Sequence, residues 1–411
     1  MALVWRLLKI EPATREGRRL IAFLGLTFCA GILGGPVSSL LSVYVDSQLR
    51  QPPTFTSTLL AFQLATTGVF ALVSGVVADG LGQKRALILG LCGIPLATTI
   101  FIFHGFWMLA VVIVSLGVTN ALQAIGGQSY LLASSPRAKL GGFSALYFLG
   151  NTLGGAIGNA LAGPSADRWG FTSVGAAGLL LSVGLLALAL RFLPEAPAVR
   201  ASKSPGPLVL MEAYAGLIRR RDVALVGVIR LLPTCFYGTT SLLIPLLVYR
   251  LSHSVTAASL YATTSLLVST TAQQIIGRFV DRFGPFGPIR LLTALLPIVA
   301  LCTALAAQDL PALVISGVFA TAVLWSISTT IPPLVREVAP KESQGRALGL
   351  VHLIWSSGML VGTVTGGALV TISPHLPFAL FAACNLLTFP AALALTRSQR
   401  QASVRVASAA D

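Results

Sequence analysis

Gly75-Val76-Val77-Ala78-Asp79-Gly80-Leu81-Gly82-Gln83-Lys84-Arg85 closes one long apolar segment. Gly277-Arg278-Phe279-Val280-Asp281-Arg282-Phe283-Gly284 closes another, 202 residues later. A charged, glycine-rich turn that recurs at half the chain length implies two similar units. The glycines permit a tight turn and close helix approach, and each carboxylate can pair with a neighbouring cation or cap the next helix.

The composition around these turns excludes an ordinary soluble domain. Of 411 residues, 55% are hydrophobic and 10% charged, with a mean hydropathy of +0.84. A soluble domain carries about a quarter charged residues. Apolar stretches recur at about 20 residues or more, the length that crosses a bilayer core. They predict spans at 20–45, 57–78, 86–104, 106–134, 142–166, 171–193, 223–249, 256–280, 290–307, 310–335, 346–372 and 376–396. The expected fold is an all-α integral membrane protein, with six spans on each side of a polar linker. The expected parts are an N-terminal bundle with its tail (1–193), a cytoplasmic linker (194–221) and a C-terminal bundle with its tail (222–411). Pro, Gly and Ser punctuate the linker, 208–218 can form a short amphipathic helix, and Arg219-Arg220-Arg221 ends it.

The net charge of +15 invites a nucleic-acid reading that its placement rejects. With the N-terminus in the cytoplasm, 24 of the 28 Lys and Arg fall on the cytoplasmic side. Arg50, Arg168 and Arg250 fall outside, and Arg230 lies within a span. Such a bias sets topology, so both termini are expected in the cytoplasm and anionic lipid headgroups are the expected partners. The N-terminus has no cleavage site of the secretory kind. Cys29, Cys92, Cys235, Cys302 and Cys384 all fall in apolar spans and read as small buried hydrophobes, without disulfide or metal-ligand spacing.

Further echoes support duplication. Pro136-Arg137-x-x-x-Gly141 pairs with Pro340-Lys341-x-x-x-Gly345 at an offset of 204, and Gly150, Gly154 and Gly158 pair with Gly358, Gly362 and Gly366 at 208. Small residues at every fourth position make a flat stripe for close helix packing. The two charged turns resemble the loops after the second and eighth helices of major facilitator superfamily transporters. Gly80 stands where that family usually has arginine, and Pro285-Phe286 where it has basic residues. The resemblance covers 20–396 and implies twelve transmembrane helices in two pseudo-symmetric six-helix bundles, working as a monomer by alternating access. It also implies a conformational latch at Gly75, Asp79, Lys84, Arg85, Gly277, Asp281 and Arg282. Gly163-Pro164-x-x-Asp167-Arg168 looks like the glycine-proline signature of drug:proton antiporters, displaced outward by one turn. Among branches the chain resembles bacterial efflux permeases of the multidrug or sugar type, so export by proton antiport across the cytoplasmic (inner) membrane is expected. Uptake of a polar or anionic solute, or a non-transporting receptor of the same fold, stays open.

The polar residues inside the spans name candidate ligands. None of the thirteen acids lies near the middle of a span, which weakens a reading as an exporter of cationic drugs. Arg230 is the eighth residue of its span, about 12 Å along the axis, and Thr234, Tyr237 and Ser241 follow on the same face at +4, +7 and +11. Helices one, four, seven and ten line the cavity in the family that the chain resembles. Ser39 and Ser42 follow Gly35 toward Asp46 in the first span, Asn120 and Gln123 precede Gly127 and Tyr130 in the fourth, and Trp325 and Ser328 lie in the tenth. Amides, hydroxyls and aromatic rings together suit a small polar organic molecule. His352 and Asp46 are the candidate proton carriers.

An enzyme would need a nucleophile with its base, paired carboxylates or a metal cluster. His104, His253, His352 and His375 stand in separate segments, and no G-x-x-x-x-G-K-[ST] loop is present. The sequence therefore points away from an enzyme, a metal site, a cofactor or a nucleic-acid partner, and toward a small-molecule substrate.

Overall fold

The computed structural model describes residues 15–134, 140–195, 219–339 and 344–408, and among them there is no strand. The helices are α1 (Arg15–Ser47), α2 (Pro53–Leu81), α3 (Gln83–Leu91), α4 (Gly93–Thr98), α5 (Phe106–Ser134) and α6 (Leu140–Phe192). They continue as α7 (Arg221–Ser252), α8 (Val255–Phe283), α9 (Phe286–Leu305), α10 (Leu310–Val338), α11 (Gln344–Leu369), α12 (Leu376–Asn385) and α13 (Thr388–Ser408). A helix or helix pair lies over every predicted span. Among the described residues, nine helices are long and apolar enough to cross a membrane.

Local chemistry explains where the helices depart from the predicted bounds. Two spans are broken, each three or four residues before a proline. Pro95 lacks an N–H and its ring crowds the carbonyl of Leu91, where α3 ends; Pro390 does the same to Leu386, between α12 and α13. α6 runs through two predicted spans, but Gly170 interrupts it with φ 79° and ψ 161°. A side chain there would be strained, so glycine marks the turn between the fifth and sixth spans. Gly82 (φ 88°) and Gly284 (φ 74°) take the same left-handed backbone after α2 and α8, at the two echoed turns. At the head of α10, Asp309 accepts from the Ala312 N–H (2.8 Å) and a proline follows in the first turn. The helix then continues through Pro332-Pro333 to Val338.

By its internal contacts the chain divides into two compact units. The first comprises Met1–Gln51, Thr58–Ser202 and His253–Leu267; the second comprises Pro52–Ser57, Lys203–Ser252 and Val268–Asp411. In the first, α1 lies along α6 and α3 along α5. Its core gathers Leu20, Phe23, Leu87, Leu91, Ile94, Tyr130 and Leu185. A second aromatic knot joins Tyr44, Phe101 and Phe171, with ring centroids 5.2–5.4 Å apart. The Tyr44 hydroxyl donates to the Phe103 carbonyl at 2.7 Å. In the second unit α7 is the hub, packed on α10, α11, α12 and α13.

The glycine ladders explain why α1 meets α6 so closely. A Cβ on Gly154 or Gly158 would collide with the backbone of Phe28 or Ile32, and one on Gly35 would sit 2.6 Å from Gly155 Cα. Gly150 is different: its nearest neighbours would be 3.9 Å away, so it contributes no forced approach. The second unit repeats the arrangement. Gly362 lies on the Cys235 backbone, Gly358 faces Thr234, and Gly238 faces the Met359 carbonyl. The Thr239 hydroxyl crosses that seam to the Gly362 carbonyl at 2.8 Å.

Candidate functional site

α7 and α10 bring a cation and an aromatic pair together in the second unit. Arg230 is half-buried, and its Nη1 donates to Ser328 Oγ at 2.7 Å. Ser328 in turn donates to the Leu324 carbonyl (3.1 Å), so the hydroxyl is held in place. Tyr237, two turns along α7, meets Trp325 edge-on, with ring centroids 6.2 Å apart and planes at 89°. Trp325 lies one turn before Ser328, which explains how one face of α10 serves both α7 residues. Among the described residues, Arg230 Nε is buried with no hydrogen-bond partner. A buried N–H donor without an acceptor is costly, by about 1–3 kcal/mol, and would be satisfied by an acceptor-rich ligand. On α11, His352 stacks on Trp355 at 5.4 Å and is exposed.

Other members of the predicted stripes serve packing instead. Thr234 is buried against Gly358 and donates to the Arg230 carbonyl at 2.7 Å. Ser39 donates to Asn159 Oδ1 at 2.7 Å across the α1–α6 seam, and Ser42 is buried. Ser39 and Thr234 thus make contacts at glycine-lined seams, where the polar face of a helix turns onto its neighbour. Ser241 is exposed and bonds back to the Gly238 carbonyl. Asp46 is half-buried at the end of α1. Cys302 is exposed, unlike buried Cys235, because one face of α9 is left uncovered.

The first unit contains a cavity of about 220 Å³ among α1, α3, α5 and α6. Asn120 and Gln123 line it, joined by Thr27, Tyr147 and Asn151. Phe23 and Tyr147 stack at its wall, 5.4 Å apart with planes at 2°. Sequence reasoning missed Asn151 and Asn159, although an asparagine within an apolar span is itself a signal.

Lys84 pairs with Glu195 at 3.3 Å, and Arg85 is exposed. Asp281 and Arg282 are exposed, with Arg282 over the Phe283 ring at 5.1 Å. A Cβ on Gly277 would meet open space. The side chain of Asp79, the surroundings of Gly75, the 196–218 linker and the Pro136-Arg137 and Pro340-Lys341 pairs lie outside the described residues. Asp167, by contrast, has a defined role. Its Oδ1 accepts from the Val255 N–H (2.9 Å), and its Oδ2 from the Thr256 N–H (2.8 Å) and the Ser254 hydroxyl (3.0 Å). One helix end thus caps the start of another, and Gly163 lies flush on Ser259 one turn away.

The family model of the Major Facilitator Superfamily matches residues 23–331 and 231–410. The chain belongs to this superfamily. As a major facilitator protein it is a multi-pass membrane protein of a transporter family. No curated protein matches the chain significantly. Among solved structures, a variant of the nucleoside transporter NupG is similar at TM-score 0.78 and 15% identity, covering 92% of this chain and 99% of that one. A POT family transporter in complex with 5-aminolevulinic acid gives 0.77 at 11% identity, covering 93% and 96%. A bacterial homologue of the human lysosomal transporter Spinster, inward-facing and unoccupied, gives 0.70 at 15%, covering 94% and 97%. These likenesses show a shared fold over 92–94% of the chain.

Proposed function

We propose that this protein is a secondary transporter that moves a small, acceptor-bearing organic solute across the cytoplasmic membrane by alternating access, with Arg230 as its anchor. The observation that carries the reading is the Arg230 guanidinium, fixed through Nη1 by Ser328 while its buried Nε has no partner among the described residues. A guanidinium stays charged at any physiological pH and presents a rigid fork, so a carboxylate, carbonyl or phosphate group is its natural complement. Tyr237 and Trp325 supply apolar area for the body of the solute. The absence of an acid in mid-span argues against cationic drugs.

Export in exchange for protons is the direction we favour, on the Gly163-Pro164 pair and its tight seat against α8. His352 and Asp46 remain the proton-carrying candidates, Asp79 and Asp281 the latch, and the basic loops support cytoplasmic termini. The test is a thermal-shift screen of purified protein against sugars, organic anions and cationic drugs, followed by vesicle flux of each hit under an imposed pH gradient. Arg230→Lys keeps charge without the fork and should weaken binding less than Arg230→Ala, which should remain folded and bind about tenfold or more weakly. Normal flux in Arg230→Ala would remove the anchor role. Flux insensitive to the pH gradient would remove the proton coupling.

A further inference from the structure

The cavity in the first unit has a chemistry of its own. Four helices each supply one face to it: Thr27 from α1, Leu87 and Leu91 from α3, Asn120 and Gln123 from α5, Tyr147 and Asn151 from α6. Three carboxamides and a phenol therefore converge, and among the described residues no Asp, Glu, Lys, Arg or His lines the space. Among the described residues, the side chains of Asn120, Gln123, Tyr147 and Asn151 make no hydrogen bond to protein. Thr27 differs, its hydroxyl being occupied by the Phe23 carbonyl at 2.9 Å. The Asn120 and Asn151 side chains are exposed, so a ligand can reach them.

We infer that this cavity is a binding site for a small, uncharged, planar heterocycle carrying an N–H–C=O edge. An ion finds no counter-charge here, and burying an unpaired charge is costly. Each carboxamide offers donors and an acceptor side by side, a pattern that pairs with an amide or lactam edge through two parallel hydrogen bonds. The stacked Phe23–Tyr147 wall favours a flat ring over a puckered polyol. The volume of about 220 Å³ equals that of roughly seven liquid waters, enough for one six-membered ring with its substituents. This site lies within one unit and does not depend on Arg230 or on the transport reading.

Uracil is the probe, because it is neutral near pH 7 and its ring carries such edges. Calorimetry on the full-length protein in detergent should show saturable, one-site binding. Asn151→Asp and Gln123→Glu preserve shape but replace donors with a charge, and each should weaken binding about tenfold or more. Tyr147→Phe, which keeps the stacked wall, should weaken it by a smaller factor. Unchanged melting temperatures in these variants keep the comparison about the site. No saturable uracil binding to wild type, equal affinity in all three variants, or tighter binding of glucose or benzoate than of uracil would each overturn the proposal. Uracil binding without vesicle flux would leave the site standing and count against transport of that ligand.

Discussion

Removing the Asp167 carboxylate should loosen the start of α8 without disturbing the rest of the first unit. The first turn of any helix has N–H groups with no partner in the helix. At α8 those of Val255 and Thr256 are satisfied by Asp167, 88 and 89 residues earlier in the chain, and Ser254 adds a third contact. Buried charge-assisted bonds of this type contribute about 1.5–3 kcal/mol each. Asp167 is exposed, so water replaces much of what Asp167→Ala removes, and solvent screening lowers the figure further. The scale of N-cap replacement, about 0.5–2 kcal/mol in all, is therefore the appropriate one. A loss of 1–2 kcal/mol corresponds to about 5–30-fold faster opening. Amide hydrogen exchange, read by mass spectrometry on a peptide spanning 253–260, should show that acceleration while the α7 peptides stay unchanged. Asp167→Asn keeps one acceptor oxygen and should fall between wild type and Ala. Identical exchange in all three proteins would show that the cap contributes nothing and that the three contacts are incidental.

The α1–α6 ladder separates two glycines that look alike in sequence. Gly158→Ala should lower the melting temperature, at about 1–3 kcal/mol for overpacking on the Ile32 backbone, whereas Gly150→Ala should be neutral or slightly stabilising; equal effects would mean that the ladder is not a forced approach. Ser328→Ala strips Arg230 Nη1 of its partner and should cost about 1–3 kcal/mol in thermal stability, a loss that bound solute should partly restore; no change in either measurement would contradict the assigned geometry. Asp79→Asn should slow vesicle flux while leaving solute affinity nearly intact, and the reverse pattern would refute a latch. Lys84→Gln breaks a pair whose Glu195 partner is largely exposed, so chemical denaturation should register less than about 1 kcal/mol.

What the sequence made legible was whatever depends on period and length. Apolar runs located the helices, and the offset of the glycine ladders anticipated that α1–α6 and α7–α11 share one mode of contact. Helix faces were also legible, since Arg230 and Tyr237 do lie on the side of α7 that meets α10. The partner of a face was not. Ser39 and Thr234 have the same spacing as a cavity stripe, yet each is used within a seam, because periodicity fixes a direction and says nothing about what occupies it. Asp167 was read as a helix-end acid within a signature motif, and its capping role depends on a helix start 88 residues away. The Lys84–Glu195 pair was hidden for the same reason, each residue having closer charged neighbours along the chain. Breaks at Pro95 and Pro390 were visible in principle, but apolar length alone masked them.

The bond between Arg230 and Ser328 also bears on how the protein is made. The two residues are 98 positions apart, and a ribosome adds about 5–20 residues per second. The segment carrying the guanidinium therefore leaves the ribosome about 5–20 s before the hydroxyl that will hold it. During that interval the arginine opposes insertion of its helix, a cost of about 2.5–3.5 kcal/mol at a helix centre. The seventh helix thus carries an insertion cost that a helix not yet synthesised later relieves. Its stable insertion comes as a joint event with the tenth, and a chain truncated between them would release an unfinished helix with its cation exposed to lipid.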